Sequence, residues 1–578
     1  MTDVKRLLKS QTVRLTAAAV AAVAAAVALP GVSWPTYLLA FAVLATVARR
    51  HREGIASMRV PRVLAALAVL IEVWTDAGAA RWPVLVAGAL LTCYLAYADL
   101  AAKAIGIGHL DTVNLEVRRT RRERLTSPAA IGTLVNALSV LYVLAAAVPV
   151  AAAVTDPLLL ALALAVLAWT GATAVAGQWR LRRDPHPVDA AVAAAVEALR
   201  PRFAVHFAGT RLSEYQLKMW LPYFEAVGDP FVIIVRERHL VKGVAEATTA
   251  PIVRVPAQSV LDRLLPAGVG SCFYVNHAVK NAQLVKLDKF LHVQLMHGDS
   301  DKPISRSPVS LMYDRVFVAG QAGVDRYRTH GVDLPVYKFR RIGRPQLHEI
   351  QVGPRTRAPG EPPAVLYAPT WAGLTSDVDY SSLAQGQQIV EALLRRGARV
   401  IFRAHPYTAA NKAYRGFAAE IRALLAADAA SGGPDHRWGP RAEREATLTD
   451  CINAADAAVC DISGTASDWL YCARPLAMTD PRGIGAGYAE QFPLARAAYL
   501  LEPDGANLDE VLDELLDRPP GLDALAPVRA EVREYYLGDI APGDLVAVFR
   551  DAVKDTYAPA AAPAATPGPA PAVQLELR

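Results

Sequence analysis

Two histidines in this sequence of 578 residues follow stretches that have the composition of buried strands. His297 and Gly298 come directly after LHVQLM, and His405 ends the run RVIFRAH, two residues after Arg403. An imidazole at a strand end is suited to proton transfer near neutral pH, and an arginine beside it is suited to hold a diphosphate. We treat both histidines as candidate catalytic residues, and Arg403 and Gly298 as candidate binding residues. The alternative for His297 is a purely structural bond to a loop carbonyl.

Hydroxylated residues follow two further apolar runs. Thr370 comes after AVLYA, where the neighbouring Trp371 either lines a cleft or packs between domains. The other candidates open a predicted helix after DAAVCD: Ser463, Gly464, Thr465 and Asp468. Amides and hydroxyls at a helix start favour a phosphate group, although an ordinary helix cap has the same composition. These residues are therefore candidates for binding a nucleotide substrate.

Several classes of site are not indicated. The sequence has no P-loop, HExxH or GxSxG motif, and GIGAG at residues 483–487 lacks the strand and helix context of a dinucleotide site. The five cysteines form no CxxC pair, which predicts reduced thiols and neither a disulfide framework nor a zinc site. We expect no cofactor and no metal.

The elements that must position these residues begin at Phe203. From there, short β-branched runs alternate with amphipathic helices, such as 212–224, 321–330 and 386–396, as in parallel α/β units. A Pro, Gly and Arg-rich linker at 354–363 separates two sets of strands, which predicts Rossmann-type domains at 200–350 and 364–556. In such folds ligands bind beyond the carboxyl ends of the strands, which is where the candidate residues stand.

The first third of the chain is strongly apolar and predicts an all-α transmembrane bundle at residues 1–183. Six stretches qualify, at roughly residues 15–29, 34–48, 63–78, 82–101, 130–154 and 157–178. Their flanking segments place 18 Lys and Arg residues on one side, and only Arg81 on the other. Because basic loops stay in the cytoplasm, the amino end and everything after residue 183 are predicted to be cytoplasmic, with the bundle as an anchor in the inner (plasma) membrane.

The net charge and the composition of the tail limit the classes of partner that the chain is expected to bind. A net charge of +6 is small for this length, and the basic clusters follow the topology, so nucleic-acid binding is not expected. Residues 557–578 are rich in Ala and Pro and are predicted to be a disordered tail. Association into a homo-oligomer is compatible with the sequence.

Taken together, the HG at His297, the run YAPTW, the run RAHP and the stretch CINAADAAVCDISGTASDWLYCARPLA resemble the CDP-glycerol:poly(glycerophosphate) glycerophosphotransferase family of teichoic acid synthesis. The resemblance covers about residues 200–555. It implies a GT-B-like pair of domains that uses a nucleotide-activated alditol, CDP-glycerol or a relative, and extends a lipid-linked acceptor polymer at the membrane. His297 and His405 match the two histidines of the family, and Ser463 and Thr465 match its phosphate site.

The implied mechanism has His297 accepting the proton of the acceptor hydroxyl while this oxygen attacks the β-phosphorus and CMP leaves. Arg403, His405 and the Ser463–Thr465 segment would stabilise the leaving diphosphate charge. The chain has HGDSD where the family has HGT, and DISGT where it has DYSS. The membrane bundle replaces the family's usual peripheral attachment, which implies a different lipid-linked acceptor.

Two other functions compete with this interpretation. A GT-B glycosyltransferase with a UDP- or GDP-sugar donor would use the same kinds of residues at the same strand ends. A membrane transporter or scaffold with a nucleotide-binding soluble half would instead require essential polar residues inside the membrane spans.

Overall fold

The computed structural model describes residues 11–29, 32–50, 54–373, 379–516 and 523–557. The chain forms two compact units. The first contains residues up to 111 together with 116–195, and the second contains residues 112–115 and everything after 195. Both predicted α/β halves therefore belong to one unit. The predicted disordered tail lies outside the described residues, except for Tyr557.

The first unit is helical, as its alanine and leucine content predicts. Its helices are Gln11–Ala28, Trp34–Arg50, Arg59–Ala77, Trp82–Ala96, Ala98–Ile105, Arg121–Leu125, Pro128–Ala147 and Ala152–Arg183, and a further helix, Ala190–Leu199, spans the boundary to the second unit. Proline is tolerated in the first turn of a helix because its missing N–H has no partner there, and the helix that begins at Pro128 also has a side-chain cap from Ser127.

Four segments among the described residues are long and apolar enough to cross a membrane, whereas the sequence predicted six spans. They are Gln11–Ala28, Arg59–Ala96, Pro128–Ala147 and Pro149–Arg183. The difference has two causes: Trp34–Arg50 has only 17 residues, and Arg59–Ala96 counts as one segment although it contains two helices, Arg59–Ala77 and Trp82–Ala96, that pack against each other across the turn at Gly78–Arg81. The unit therefore has the apolar helices of a membrane-associated segment.

Several polar and charged side chains are buried inside this bundle. Arg62 and Glu72 are fully buried. Arg81 donates two hydrogen bonds to Asp156, at 2.7 and 2.9 Å, and further bonds to the carbonyls of residues 145 and 146. The ion pair of Arg81 with Asp156 satisfies two charges that a bilayer would not solvate.

The second unit begins with an eight-stranded sheet. Its strands are β1 (Asp111–Val113), β2 (Phe203–Phe207), β3 (Phe231–Val235), β4 (Ile252–Arg254), β5 (Ser271–Tyr274), β6 (Leu291–Gln294), β7 (Arg315–Val318) and β8 (Phe339–Arg341). The order is β1-β4-β3-β2-β5-β6-β7-β8, and the pairs from β4 to β8 are parallel. The six strands from β4 to β7 have the Rossmann order, in which the direction of winding reverses between β2 and β5.

Helices flank this sheet, at Tyr215–Lys218, Leu221–Ala226, Arg238–Ala245, Gln258–Leu264, Asn281–Val285 and Gln321–Thr329. The single helix predicted for 212–224 is wrong: the segment forms two short helices. Leu212 has a left-handed backbone, with φ of 73°. Pro222 stands in the first turn of the second helix, where proline starts a helix readily.

A second, five-stranded sheet follows. Its strands are β9 (Ala364–Ala368), β10 (Arg399–Phe402), β11 (Ala457–Cys460), β12 (Leu476–Thr479) and β13 (Tyr499–Leu501). All pairs are parallel in the order β10-β9-β11-β12-β13, and the winding reverses between β9 and β11. Its main helices are Gly386–Arg395, Lys412–Ala430, Leu448–Asn453, Gly464–Trp469, Tyr488–Gln491 and Leu508–Leu516.

The last two helices, Ala526–Leu537 and Leu545–Asp555, connect the two halves. Tyr536 belongs to the core of the second sheet, whereas Phe549 packs on Trp220 in the core of the first. The linker is held to the second half because Arg355 pairs with Asp456 at 3.1 Å. The fold class is confirmed: two Rossmann-type halves in a GT-B-like pair follow a helical bundle.

Candidate active site

The loops at the carboxyl ends of the two sheets contact each other, and both predicted histidines lie at this junction, which we call the cleft. His297 follows β6, and His405 follows β10. The ring of Tyr215, in the segment after β2, lies edge-on to both imidazoles, with centroid distances of 5.8 Å to His297 and 5.7 Å to His405. The structure thus brings together two residues that are 108 positions apart in the sequence.

The contacts of His297 fix which ring nitrogen carries the proton. Its Nδ1 lies 3.0 Å from the carbonyl oxygen of Val275, and because a carbonyl only accepts, Nδ1 is the donor. Nε2 of the neutral ring is therefore unprotonated, and its lone pair faces a single weak donor. On this side the Nε2 amide of Gln216 lies 3.5 Å away, and Gln216 is oriented by a 2.9 Å bond from Asn276.

Burial, assisted by the positive charge of Arg344, lowers the pKa of His297 to about 4. Since a charged imidazole loses its hydration in this position, the ring is neutral at pH 7. The geometry and the charge state together give His297 an unprotonated nitrogen that can accept a proton, as a general base requires.

His405 has the opposite tautomer. The backbone N–H of Tyr407 donates to its Nδ1 at 3.1 Å, so the neutral ring carries its proton on Nε2. Burial, with a contribution from the charge of Lys302, lowers the pKa of His405 to about 3. Trp371 stacks on the imidazole at 6.2 Å and 23°. His405 is therefore a neutral hydrogen-bond donor. The contact with His405 favours a position of Trp371 at the cleft over packing between the domains.

Thr370 occupies the turn after β9 and is almost fully buried. Its backbone N–H donates to Asp461 at 2.6 Å, and its hydroxyl accepts a 2.6 Å bond from the amine of Lys302. Asp461 also accepts bonds from the N–H of Ser382 and the hydroxyl of Thr479, which fixes this turn beside the end of β11. Thr370 therefore lies beside Lys302 and Asp461, and its role in binding a substrate stays a prediction.

The small residues after β11 contact the loop that carries His297. Ser463 caps the helix Gly464–Trp469 by accepting a 3.3 Å bond from the N–H of Ala466. A Cβ built on Gly464 would lie 3.5 Å from the Cα of Gly298, so the two glycines lie against each other across the cleft. Because the hydroxyl of Ser463 serves as a helix cap and the helix has only six residues, phosphate binding by residues 463–465 stays a prediction.

Two predicted binding residues have other partners. One guanidinium nitrogen of Arg403 donates to the carbonyls of Ala442 and Ala446, the latter at 2.9 Å. Both carboxylate oxygens of Asp468 accept bonds from Arg344, at 2.9 and 3.0 Å, and both side chains are buried. Asp468 therefore joins the two halves through an ion pair, and its carboxylate is not directed to a ligand.

The sequence analysis missed Tyr215, Gln216, Asn276 and Lys302. Asn276 stands at the end of β5, where the winding of the first sheet reverses, and this position was a usable signal. Lys302 stands in the same loop as His297, five residues further along. Within the described part of the chain, no group of three or more His, Cys, Asp or Glu side chains is arranged to hold a metal ion.

No family model matches the chain, and no curated protein matches it. Similar solved structures include a protein from Listeria monocytogenes described as a UDP-N-acetylglucosamine 2-epimerase (12% identity, 62% of this chain and 97% of that chain, TM-score 0.39). Others are a glycosyltransferase from Rickettsia africae (13%, 62% and 98%, TM-score 0.38) and the wall teichoic acid polymerase TagF (12%, 63% and 90%, TM-score 0.40). An assignment of function for this chain therefore rests on its own site.

Proposed function

We propose that this chain transfers glycerol phosphate, or a related polyol phosphate, from a CDP-alditol to a lipid-linked acceptor and releases CMP. One observation carries the proposal: His297 and His405, in opposite tautomers and both neutral, face one cleft between two Rossmann-type halves. A proton acceptor and a hydrogen-bond donor on opposite sides of a reaction centre are what a displacement at phosphorus requires.

The reaction would proceed in one displacement. The acceptor hydroxyl oxygen attacks the β-phosphorus of the CDP-alditol, and its proton passes to Nε2 of His297. The bond between the β-phosphorus and the bridging oxygen breaks, and this oxygen leaves with CMP carrying the negative charge. The Nε2–H of His405 donates a hydrogen bond to the diphosphate, where that charge develops.

The choice of a CDP-alditol rests on the sequence motifs around these residues. The HG at His297, YAPTW before Trp371, and RAHP at His405 together resemble the glycerophosphotransferase family. Three residues of these motifs, His297, Trp371 and His405, lie close together through ring contacts, which supports the proposal. The acceptor class follows from the apolar helices of the first unit, which keep the enzyme at a bilayer. The basic loops favour a multi-pass protein of the plasma membrane with a cytoplasmic catalytic unit.

The test uses the full-length protein in detergent or nanodiscs with a membrane lipid extract. CDP-glycerol, CDP-ribitol, UDP-sugars and GDP-sugars are offered separately, and release of the free nucleotide is followed. We expect CMP from a CDP-alditol, and we expect His297→Ala to lower turnover by about 10²-fold or more, the usual effect of losing a general base. His239→Ala is the matched control because this histidine is exposed, on the helix Arg238–Ala245.

Two results would contradict the proposal. Release of UDP or GDP alone would identify a membrane-associated glycosyltransferase, which the cleft geometry also accommodates. Normal turnover in a folded His297→Ala variant would remove this residue from the mechanism, even if CMP is the product.

A further inference from the structure

The cleft needs a positive charge to hold a diphosphate, and the residue expected to supply it is partly engaged elsewhere. One guanidinium nitrogen of Arg403 bonds to two backbone carbonyls. His297 and His405 are neutral. Lys302, in contrast, extends from the loop after β6 to the turn after β9, where its amine bonds to Thr370.

The loop that carries Lys302 is held on both sides of this residue. Asp299 and Asp301 both pair with the buried Arg326, and Asp301 also accepts a 2.7 Å bond from Tyr536. The hydroxyl of Ser467, in the second half, donates a 2.8 Å bond to the backbone carbonyl of Asp299. These contacts fix the direction in which the lysine side chain leaves the loop.

The partner of the amine is a hydroxyl group. Nζ lies 2.6 Å from Oγ1 of Thr370, and this is the single hydrogen bond that the described residues give a group with three donors. Asp461 and Asp379 attract the charge from the second half, and His405 lies near enough to respond to it. Asp461 itself already accepts bonds from residues 370, 382 and 479.

We propose that Lys302 binds the diphosphate of the nucleotide donor, and that the Thr370 hydroxyl is its partner while the cleft is empty. An ammonium group with free donors, next to a neutral imidazole donor on His405, forms a binding site for two adjacent phosphate groups. This inference rests on the proposed function for its ligand, a nucleoside diphosphate donor.

The first test measures binding by calorimetry with CDP, UDP and cytidine as probes, using the full-length protein. Because Lys302→Gln removes a charge-assisted hydrogen bond, we expect it to weaken the binding of CDP and UDP by about 10- to 100-fold. The affinity for cytidine, which has no phosphate, should stay unchanged. Lys242→Gln is the control because Lys242 is exposed and its amine pairs with Glu246 at 3.7 Å, away from the cleft loops. Unchanged CDP affinity in a Lys302→Gln variant that unfolds at the wild-type temperature would overturn the proposal.

A second test uses pH. Burial lowers the pKa of Lys302 to about 8, and the charges of Asp461 and Asp379 limit this effect. The terminal phosphate of CDP is fully ionised above about pH 7. We therefore expect the affinity of the wild type for CDP to fall as the pH rises above about 8, because the free amine loses its proton there. Lys302→Arg, which stays charged, should remove this dependence.

The outcomes separate this inference from the proposed function. If CDP binding depends on Lys302 but no CDP-alditol is turned over, the site assignment stands and the proposed donor is wrong. If a CDP-alditol is turned over and the Lys302→Arg variant keeps the wild-type pH dependence of CDP binding, the diphosphate site lies elsewhere.

Discussion

Replacing Gln216 by glutamate tests the assignment of His297 as the base. The amide nitrogen of Gln216 lies 3.5 Å from Nε2 of His297, and Asn276 is placed to donate to a carboxylate at position 216. A unit negative charge at this distance is worth about 5 kcal/mol at an effective dielectric constant of about 20. This corresponds to an upper limit of about 3.5 units for the increase in the pKa of the imidazole.

The assay is the pH dependence of kcat/KM, which reports ionisations in the free enzyme. With the pKa of His297 at about 4, the wild type should remain active down to about that pH, and should lose rate about tenfold per unit below it. We call the fall of kcat/KM at low pH the acid limb. In Gln216→Glu we expect the pH at which this limb begins to rise by one to about three units. The rate should therefore drop at pH 5 and recover at higher pH.

Gln216→Leu is the control, since it removes the amide without adding a charge. Its acid limb should stay near that of the wild type, although its rate is reduced at every pH. If the limb does not move in a folded Gln216→Glu variant, His297 is not the base, and the tautomer argument does not describe catalysis.

Three further predictions follow from buried groups. Arg344→Met should lower the free energy of unfolding of the α/β unit by about 3–5 kcal/mol, since it leaves the carboxylate of Asp468 without its partner. Thermal unfolding measures this loss, and the double variant with Asp468→Leu should regain part of the lost stability. Asp461→Asn should lower the free energy of unfolding by about 1–3 kcal/mol, because the amide N–H would face a group that now donates a hydrogen bond to the carboxylate. The pKa values of His277 and His405 are lowered to about 4 and 3, so unfolding takes up protons below pH 6.5; the melting temperature should fall between pH 6.5 and 4, and an unchanged value would contradict this.

The sequence was sufficient for the central strands because each lies in a short, buried and largely apolar run. Four short strands at or near sheet edges were missed: β1, β4, β8 and β13. Each has only three residues, and β8 reads FRR, so neither length nor apolar pattern marks them. Their pairing is set by a neighbouring strand, which local composition does not describe.

The sequence predicted where the candidate residues lie better than it predicted the direction of their side chains. His297 and His405 were found because the carboxyl ends of parallel strands meet at one edge. The direction of a side chain depends on partners that are distant in sequence: Asp468 pairs with a residue 124 positions away, and Arg403 with carbonyls 39 and 43 positions away. No spacing rule contains this information, and the role of Lys302 was missed for the same reason.

The edge strand β1 bears on how the catalytic part is produced for experiments. Val113 packs against the core of the first sheet, and the side chain of Asn114 donates a 3.0 Å bond to the carbonyl of Thr248. A shortened protein that starts after the bundle, at about residue 196, lacks this strand and exposes the unpaired edge of β4. Open sheet edges promote aggregation. Truncations intended to give a soluble enzyme should therefore supply residues 111–115, for example as a fused segment, or else retain the helical unit.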